Sequence, residues 1–102
     1  MTHFVVETAG PRTLIEDAGR RGWADLGISG CGAWDRRAYL DGARLVGNGA
    51  GLGCLEILLG PVRLRYVGGP VLVAVTGADA RSMWMERRVL AAGDFSLQMV
   101  RR

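Results

Sequence analysis

Lysine is absent from this sequence, and all 13 of its basic residues are arginine. A guanidinium group is a planar fork that suits bidentate binding of anions. Lysine is missing from the whole chain, however, which favours codon bias in a high-GC genome over selection for anion binding. The arginines are scattered singly or in pairs, so we do not expect a nucleic-acid-binding protein despite the net charge of +3.

Cysteine and histidine are scarce. Cys31 and Cys54 are too few for a disulfide framework, and neither lies in a Cys-x-x-Cys pair. His3 is the single histidine, so the sequence offers neither a zinc-ligand set nor a base for a nucleophilic cysteine. We therefore expect no metal site. A helix N-terminus after Cys31 would lower the thiol pKa, but we expect this cysteine to be structural or incidental.

Long apolar runs are also missing. No run approaches the roughly 18 residues that a membrane helix needs. The first residues lead straight into strand-like sequence, so we expect no signal peptide. With 102 residues, 49% hydrophobic and 23% charged, we expect one soluble domain over residues 1–102. The expected location is the cytoplasm, with no membrane partner.

Glycine is in excess, at 16 positions, which suits turns and bulges between short strands. Alternation of apolar and polar residues, and the turns between them, predict a mainly β domain with one helix (a β-rich α+β class), barrel-like or sandwich-like. The expected strands are 3–7, 13–17, 54–59, 62–67, 71–77 and 94–100, with a hairpin around Glu86–Arg88. We expect 71–77 to be buried on both faces, and Phe95, Leu97 and Met99 to point inward.

The single expected helix covers residues 35–46. Asp35 suits its N-cap and Gly47 a left-handed C-cap. Because glycine destabilises a helix, Gly42 indicates close packing. The expected apolar face comprises Ala38, Tyr39, Ala43 and Val46, with Leu45 beside them.

Carboxylates stand beside glycine-rich turns or inside apolar strands, namely Asp17, Asp35, Glu56 and Asp79. Glu56 lies within the apolar segment CLEILL, where an unpaired charge is expensive to bury. Its partner is expected to be an arginine, with Arg20 and Arg44 as candidates, or a set of backbone donors. Both a structural ion pair and a perturbed acid that contacts substrate fit this pattern.

Two glycine-flanked segments are candidate ligand contacts. GRRG, residues 19–22, carries guanidinium groups that either bind a carboxylate or phosphate or tie loops together through Asp17 or Glu56. TGAD, residues 76–79, either forms a nest of backbone N–H groups facing a ligand or simply turns the chain.

Five segments in one order resemble the biotin-dependent carboxyltransferase family, also called allophanate hydrolase subunit 2. They are Thr13 to Gly22, Gly27 to Ala38, GARLVGN at 42–48, CLEILLGP at 54–61 and AVTGAD at 74–79. The chain resembles only the N-terminal portion of these longer proteins. It departs from the family pattern at Glu16, where the family has glutamine, and at Ala43, where it has asparagine.

The resemblance implies a cyclophilin-like β-barrel, either complete or incomplete in this shorter chain, and a second, similarly folded partner subunit like the B subunit of 5-oxoprolinase. The implied function is a component of an ATP-dependent amide hydrolase that opens 5-oxoproline to glutamate. Two alternatives stay open. One is a biotin-dependent carboxyltransferase component like that of urea carboxylase, and the other is a non-catalytic regulatory binding module.

The resemblance also implies site residues for a small amide substrate. The candidate catalytic residues are Glu56 and Asp35. The candidate substrate-binding residues are Arg20, Asp17, Asn48, Thr76 and Gly77. ATP is the implied cofactor, or biotin in the carboxyltransferase alternative. The family has serine at the position of Cys31, so the resemblance gives the thiol no role.

Overall fold

The structure, a computed structural model, describes residues 2–49, 51–59, 61–77, 81–85, 87–92 and 95–101. The strands of the described part are β1 His3–Thr8, β2 Arg12–Glu16, β3 Cys54–Leu58, β4 Val62–Val67, β5 Val71–Thr76, β6 Arg81–Met85, β7 Arg88–Ala92 and β8 Phe95–Arg101. Helix α1 is Arg36–Val46, and a short 3-10 helix, Ala24–Leu26, lies in a segment whose sequence indicates a loop. The predicted class, mainly β with one α-helix, is confirmed for the described residues.

The strands form two four-stranded antiparallel sheets, with orders β1-β4-β7-β6 and β2-β3-β8-β5. β6 and β7 pair as the predicted hairpin, although Glu86 itself lies outside the described residues. Strand β8 lies between β3 and β5 and is paired on both sides. The pairings among the described residues do not join the two sheets into a closed barrel, so the cyclophilin-like barrel stays a prediction.

The main core lies between the two sheets. Its fully buried members come from β3, β4 and β8 and are Ile57, Val62, Leu64 and Leu97. The alternation in residues 62–67 places its apolar side chains inward and leaves Arg63 exposed, as predicted. Leu97 is buried as expected, whereas the side chains of Phe95 and Met99 lie outside the described residues.

Strand β5 is less buried than its sequence indicates. The apolar sequence predicts burial on both faces, but only Ala74 is buried and the other residues of the strand are half-buried. The reason is position, because β5 is the outer strand of its sheet as described. An apolar sequence does not distinguish an outer strand from a central one.

Helix α1 lies against β5 and β8, on the face of the second sheet that points away from the main core. Its caps are those predicted: Asp35 accepts a hydrogen bond from the Ala38 N–H at 3.0 Å, and Gly47 has a φ of +76°. Leu45, which was expected beside the apolar face, is exposed. The buried helix residues are Ala38, Tyr39, Gly42, Ala43 and Val46.

Burial on both faces is found at β3 instead. Leu55 and Ile57 face the main core, whereas Cys54 lies in a second cluster with Ala33 and Tyr39. Glu56 shares the side of Cys54, because side chains alternate along a strand. In the described part of the chain, no helix is long and apolar enough to cross a membrane.

Candidate functional site

Two loop segments, 17–20 and 30–33, cross in direct backbone contact before helix α1 begins. The Arg20 N–H donates to the Gly30 carbonyl at 2.7 Å, and the Ala33 N–H donates to the Asp17 carbonyl at 2.9 Å. A Cβ atom on Gly32 would lie 2.6 Å from the Gly19 nitrogen, so no side chain fits at the crossing. The glycines of these segments therefore permit two backbones to touch.

Arginine side chains hold this crossing. The Arg20 Nε donates to the Ser29 carbonyl at 2.8 Å, and an Arg20 Nη atom lies 3.3 Å from the Cys31 sulfur. An Arg36 Nη atom donates to the Ala18 carbonyl at 2.8 Å and fastens the first helical residue to the same loops. Arg20 thus ties the two segments together, but through Ser29 and Cys31 and not through Asp17 or Glu56. The Asp17 carboxylate accepts from the Gly19 N–H at 2.8 Å.

Cys31 is an exposed free thiol with an arginine beside it. The hydrogen bond from Arg20 and, after it, the one with Ser29 hold the pKa of the Cys31 thiol below its ordinary value. The sequence suggested a helix dipole as the source of this effect. Since helix α1 begins only at Arg36, the neighbouring guanidinium is the main cause.

Glu56 is buried, with 5% of its surface exposed, and backbone N–H groups satisfy its carboxylate. The Trp34 N–H donates to both carboxylate oxygens, at 2.8 and 3.1 Å, and the Asp35 N–H donates at 3.3 Å. Backbone donors, one of the two expected alternatives, are therefore confirmed. An arginine partner is wrong, because Arg44 instead lies 3.9 Å from Asp41.

Thr76 holds the same end of helix α1 from another strand. The backbone of Ser96 on β8 pairs with Glu56 on one side and with Thr76 on the other. Glu56 and Thr76 therefore stand in one row across the sheet, two strands or about 10 Å apart. The Thr76 hydroxyl donates to the Ala38 carbonyl at 2.6 Å.

A cleft of about 280 Å³ opens at this helix end. Its lining residues are Asp35, Arg37, Ala38, Asp41 and Gly77. Among the described residues, one guanidinium thus stands between two carboxylates, and the Arg37 Nε lies 3.9 Å from an Asp41 carboxylate oxygen. This arrangement can accept hydrogen bonds from an amide N–H and can pair with one anionic group.

The fold brings only some of the site residues predicted from the sequence to the cleft. Asp35 and Gly77 line the cleft and Thr76 precedes Gly77, whereas Glu56 lies under the helix start and is not among the lining residues. Asn48 follows the other end of α1, about 16 Å along the helix axis. The roles of these residues stay predictions, and Asp79 lies outside the described residues.

Arg37 and Asp41 are lining residues that the sequence reasoning missed. The signal for Asp41 was present, because a spacing of three residues from Asp35 to Ala38 to Asp41 follows one side of a helix. Within the described ranges, no group of three or more histidine, cysteine, aspartate or glutamate residues could hold a metal ion.

These observations define the class of protein: the described residues are mainly β, and a polar cleft lies at the start of helix α1. A family model described as "Carboxyltransferase domain, subdomain A and B" matches residues 26–98, so the chain belongs to this carboxyltransferase-domain family. The family resemblance found in the sequence is thereby confirmed.

Two curated relatives are each named as the C subunit of 5-oxoprolinase. The chain is 39% identical to the Escherichia coli protein over 74 residues, which are 72% of this chain and 24% of that protein. It is 36% identical to the Haemophilus influenzae protein over 80 residues, which are 78% of this chain and 26% of that protein. The chain spans about a quarter of the length of these relatives.

Proposed function

We propose that this chain forms part of the substrate-binding region of a 5-oxoprolinase-like enzyme, which opens the cyclic amide 5-oxoproline to glutamate with a partner subunit. Membership of the carboxyltransferase-domain family and similarity to two 5-oxoprolinase subunits support this proposal. The observation that carries it is the cleft, whose lining residues all lie within the stretch that matches the family model.

The charges of the cleft suit the substrate. 5-Oxoproline carries one carboxylate and one cyclic amide. The Arg37 guanidinium matches the carboxylate, and the Asp35 carboxylate is placed to accept a hydrogen bond from the amide N–H or to serve as an acid or base. Asp35 is thus the residue of this chain that we propose to contact the reacting amide.

The same charges do not fit ATP. A triphosphate carries several negative charges, and the described residues of the cleft present two carboxylates against one guanidinium. We therefore propose that ATP binds to other parts of the assembly. We further propose a partner like the B subunit of 5-oxoprolinase, a cyclophilin-like barrel for the whole domain, and a cytoplasmic location. The relatives' designation as subunits supports the existence of a partner.

Carboxyl transfer is the second candidate function, favoured by the description of the family model. Carboxybiotin that is joined to its carrier protein by an amide bond carries a single carboxylate, like 5-oxoproline, and Arg37 matches it. The donor to be tested is thus carboxybiotin, and the acceptor is a small amide such as urea.

The test is to copurify the chain with its partner subunits and to measure ATP-dependent release of glutamate from 5-oxoproline, with carboxyl transfer to urea assayed in parallel. Asparagine caps helices as well as aspartate, so Asp35→Asn removes the charge and keeps the helix start. We expect it to abolish activity at unchanged thermal stability. Arg63→Met, exposed on the other sheet, is the matched control and should keep full activity. An active Asp35→Asn complex, or a wild-type complex inactive in both assays, would refute the proposal.

A further inference from the structure

We infer that Glu56 and Thr76 form a two-point clamp that positions the start of helix α1, and that neither side chain contacts the substrate. The clamp is defined by these two residues and by the backbone groups that they hold between Trp34 and Ala38. Its link to catalysis rests on the proposed function, whereas its mechanical role does not.

Backbone N–H groups bind both carboxylate oxygens of Glu56. Both carboxylate oxygens accept the Trp34 N–H, and one of them also accepts the Asp35 N–H. The side chain is buried beneath the segment that it binds and does not line the cleft. A charged acceptor for two otherwise unpaired N–H groups fixes the direction in which the chain enters the helix.

Thr76 provides the second point. Its hydroxyl donates to the Ala38 carbonyl, in the first turn of α1, so its proton is not available to a ligand. Thr76 is also not among the described residues that line the cleft, although Gly77 is. Because β5 and β3 belong to one sheet, the two points of the clamp are fixed relative to each other by strand pairing.

Asp35 lies between these two points. Glu56 holds its N–H, and its carboxylate accepts the Ala38 N–H, while Thr76 holds the Ala38 carbonyl. Hydrogen bonds therefore run without interruption from β3 through Asp35 to β5. A cleft carboxylate fixed at both sides needs little further ordering when a small amide binds, which favours a productive geometry.

Trp34 supplies a direct readout. Trp34 is 86% exposed as a residue, yet its N–H is held by a buried carboxylate. An exposed residue outside regular structure ordinarily exchanges its amide hydrogen fast. The clamp predicts that the Trp34 amide exchanges slowly in the full chain, followed by NMR without any substrate.

Variants test each point. Glutamine keeps one acceptor oxygen and turns an NH₂ group toward backbone donors, so Glu56→Gln should speed exchange at Trp34 and Asp35 about 10- to 100-fold. Thr76→Val removes the hydrogen bond to the Ala38 carbonyl and should speed amide exchange at Ala38. Thr76→Ser keeps the hydroxyl and should restore the wild-type exchange rate there. Glu7 lies on the other sheet, where its carboxylate pairs with Arg65 and Arg88. Glu7→Gln is the control and should leave the amide exchange rates at Trp34, Asp35 and Ala38 unchanged.

Kinetic measurements on the active complex then show whether Glu56 is a positioning residue or a catalytic residue. In the active complex, Glu56→Gln should lower kcat or raise KM while both limbs of the pH–rate profile stay in place, because no titrating group that touches substrate is removed. Loss of one limb would make Glu56 a catalytic residue and overturn the inference.

Fast exchange of the Trp34 amide in the wild type would equally overturn the clamp. If Glu56→Gln does not fold, the exchange rate of the wild-type Trp34 amide and the comparison of Thr76→Val with Thr76→Ser still test the clamp. A complex without oxoprolinase activity would refute the proposed function alone, since the exchange experiment needs no turnover.

Discussion

The backbone crossing of the two glycine-rich loops makes a quantitative prediction about Gly32. Its φ is +86°, and an added Cβ would lie 2.6 Å from the Gly19 nitrogen and 2.9 Å from the Ala18 carbonyl carbon. Real Cβ atoms do not approach backbone so closely, so Gly32→Ala must push the two segments apart. Gly22 is the matched control, because its φ is +82° and an added Cβ meets nothing within 4 Å.

Both substitutions incur the same backbone strain, but only Gly32→Ala also forces atoms too close together. Placing a side chain at a left-handed backbone conformation costs roughly 1–2 kcal/mol in either variant. Overpacking at the crossing adds about 1–3 kcal/mol for Gly32→Ala alone. We therefore expect Gly32→Ala to be destabilised by about 2–5 kcal/mol and Gly22→Ala by about 1–2 kcal/mol.

Thermal unfolding followed by circular dichroism measures the difference. A domain of this size loses about 4–8 °C in Tm per kcal/mol, so Gly32→Ala should melt at least about 4 °C below Gly22→Ala. Equal melting temperatures for the two variants would refute the close backbone contact. A Gly22→Ala variant that melts lower than Gly32→Ala would show that strain, and not the crossing, limits stability.

Three further predictions concern single residues. The Tyr66 hydroxyl is buried without a hydrogen-bond partner in the described structure, so Tyr66→Phe should raise the free energy of unfolding by about 1 kcal/mol, and a loss in urea denaturation would contradict this. Leu64 is fully buried between the sheets, so Leu64→Ala should lower that free energy by about 2–5 kcal/mol, whereas exposed Leu59→Ala should change it by less than about 0.5 kcal/mol. Because Arg20 lowers the pKa of the Cys31 thiol, the thiolate forms at lower pH than in an ordinary cysteine. Arg20→Met should raise the midpoint of the pH dependence of iodoacetamide alkylation, and an unchanged midpoint would remove the guanidinium as the cause.

Local patterns predicted most of the fold. The helix bounds follow from Asp35 and Gly47, because capping is a contact among residues a few positions apart. The alternation in residues 62–67 likewise fixed which side chains face inward. Strand β5 was predicted less well, because burial of an apolar strand depends on its place in the sheet and not on its own residues.

The candidate site was harder to predict. A carboxylate inside an apolar segment showed that Glu56 needs donors, but it did not show which donors. The residues that supply them stand 21 and 22 positions away and donate from the backbone, which every residue carries and no sequence pattern marks. The sequence does not mark Arg37 and Asp41 as site residues, because polar residues are ordinary on the outer face of a helix. They become lining residues only because the fold places Gly77 on the other side of the cleft.

Residue patterns along the chain were therefore enough to identify the family, the mainly β class, the helix with its caps and the need to satisfy a buried carboxylate. These properties depend on neighbours along the chain or on the order of motifs. The folded structure was needed to show that Gly19 and Gly32 permit a backbone crossing, and that Glu56 and Thr76 hold one helix end from two strands. Such contacts join residues far apart in the chain, and strand register, which sets their distances, is a property of the folded sheet.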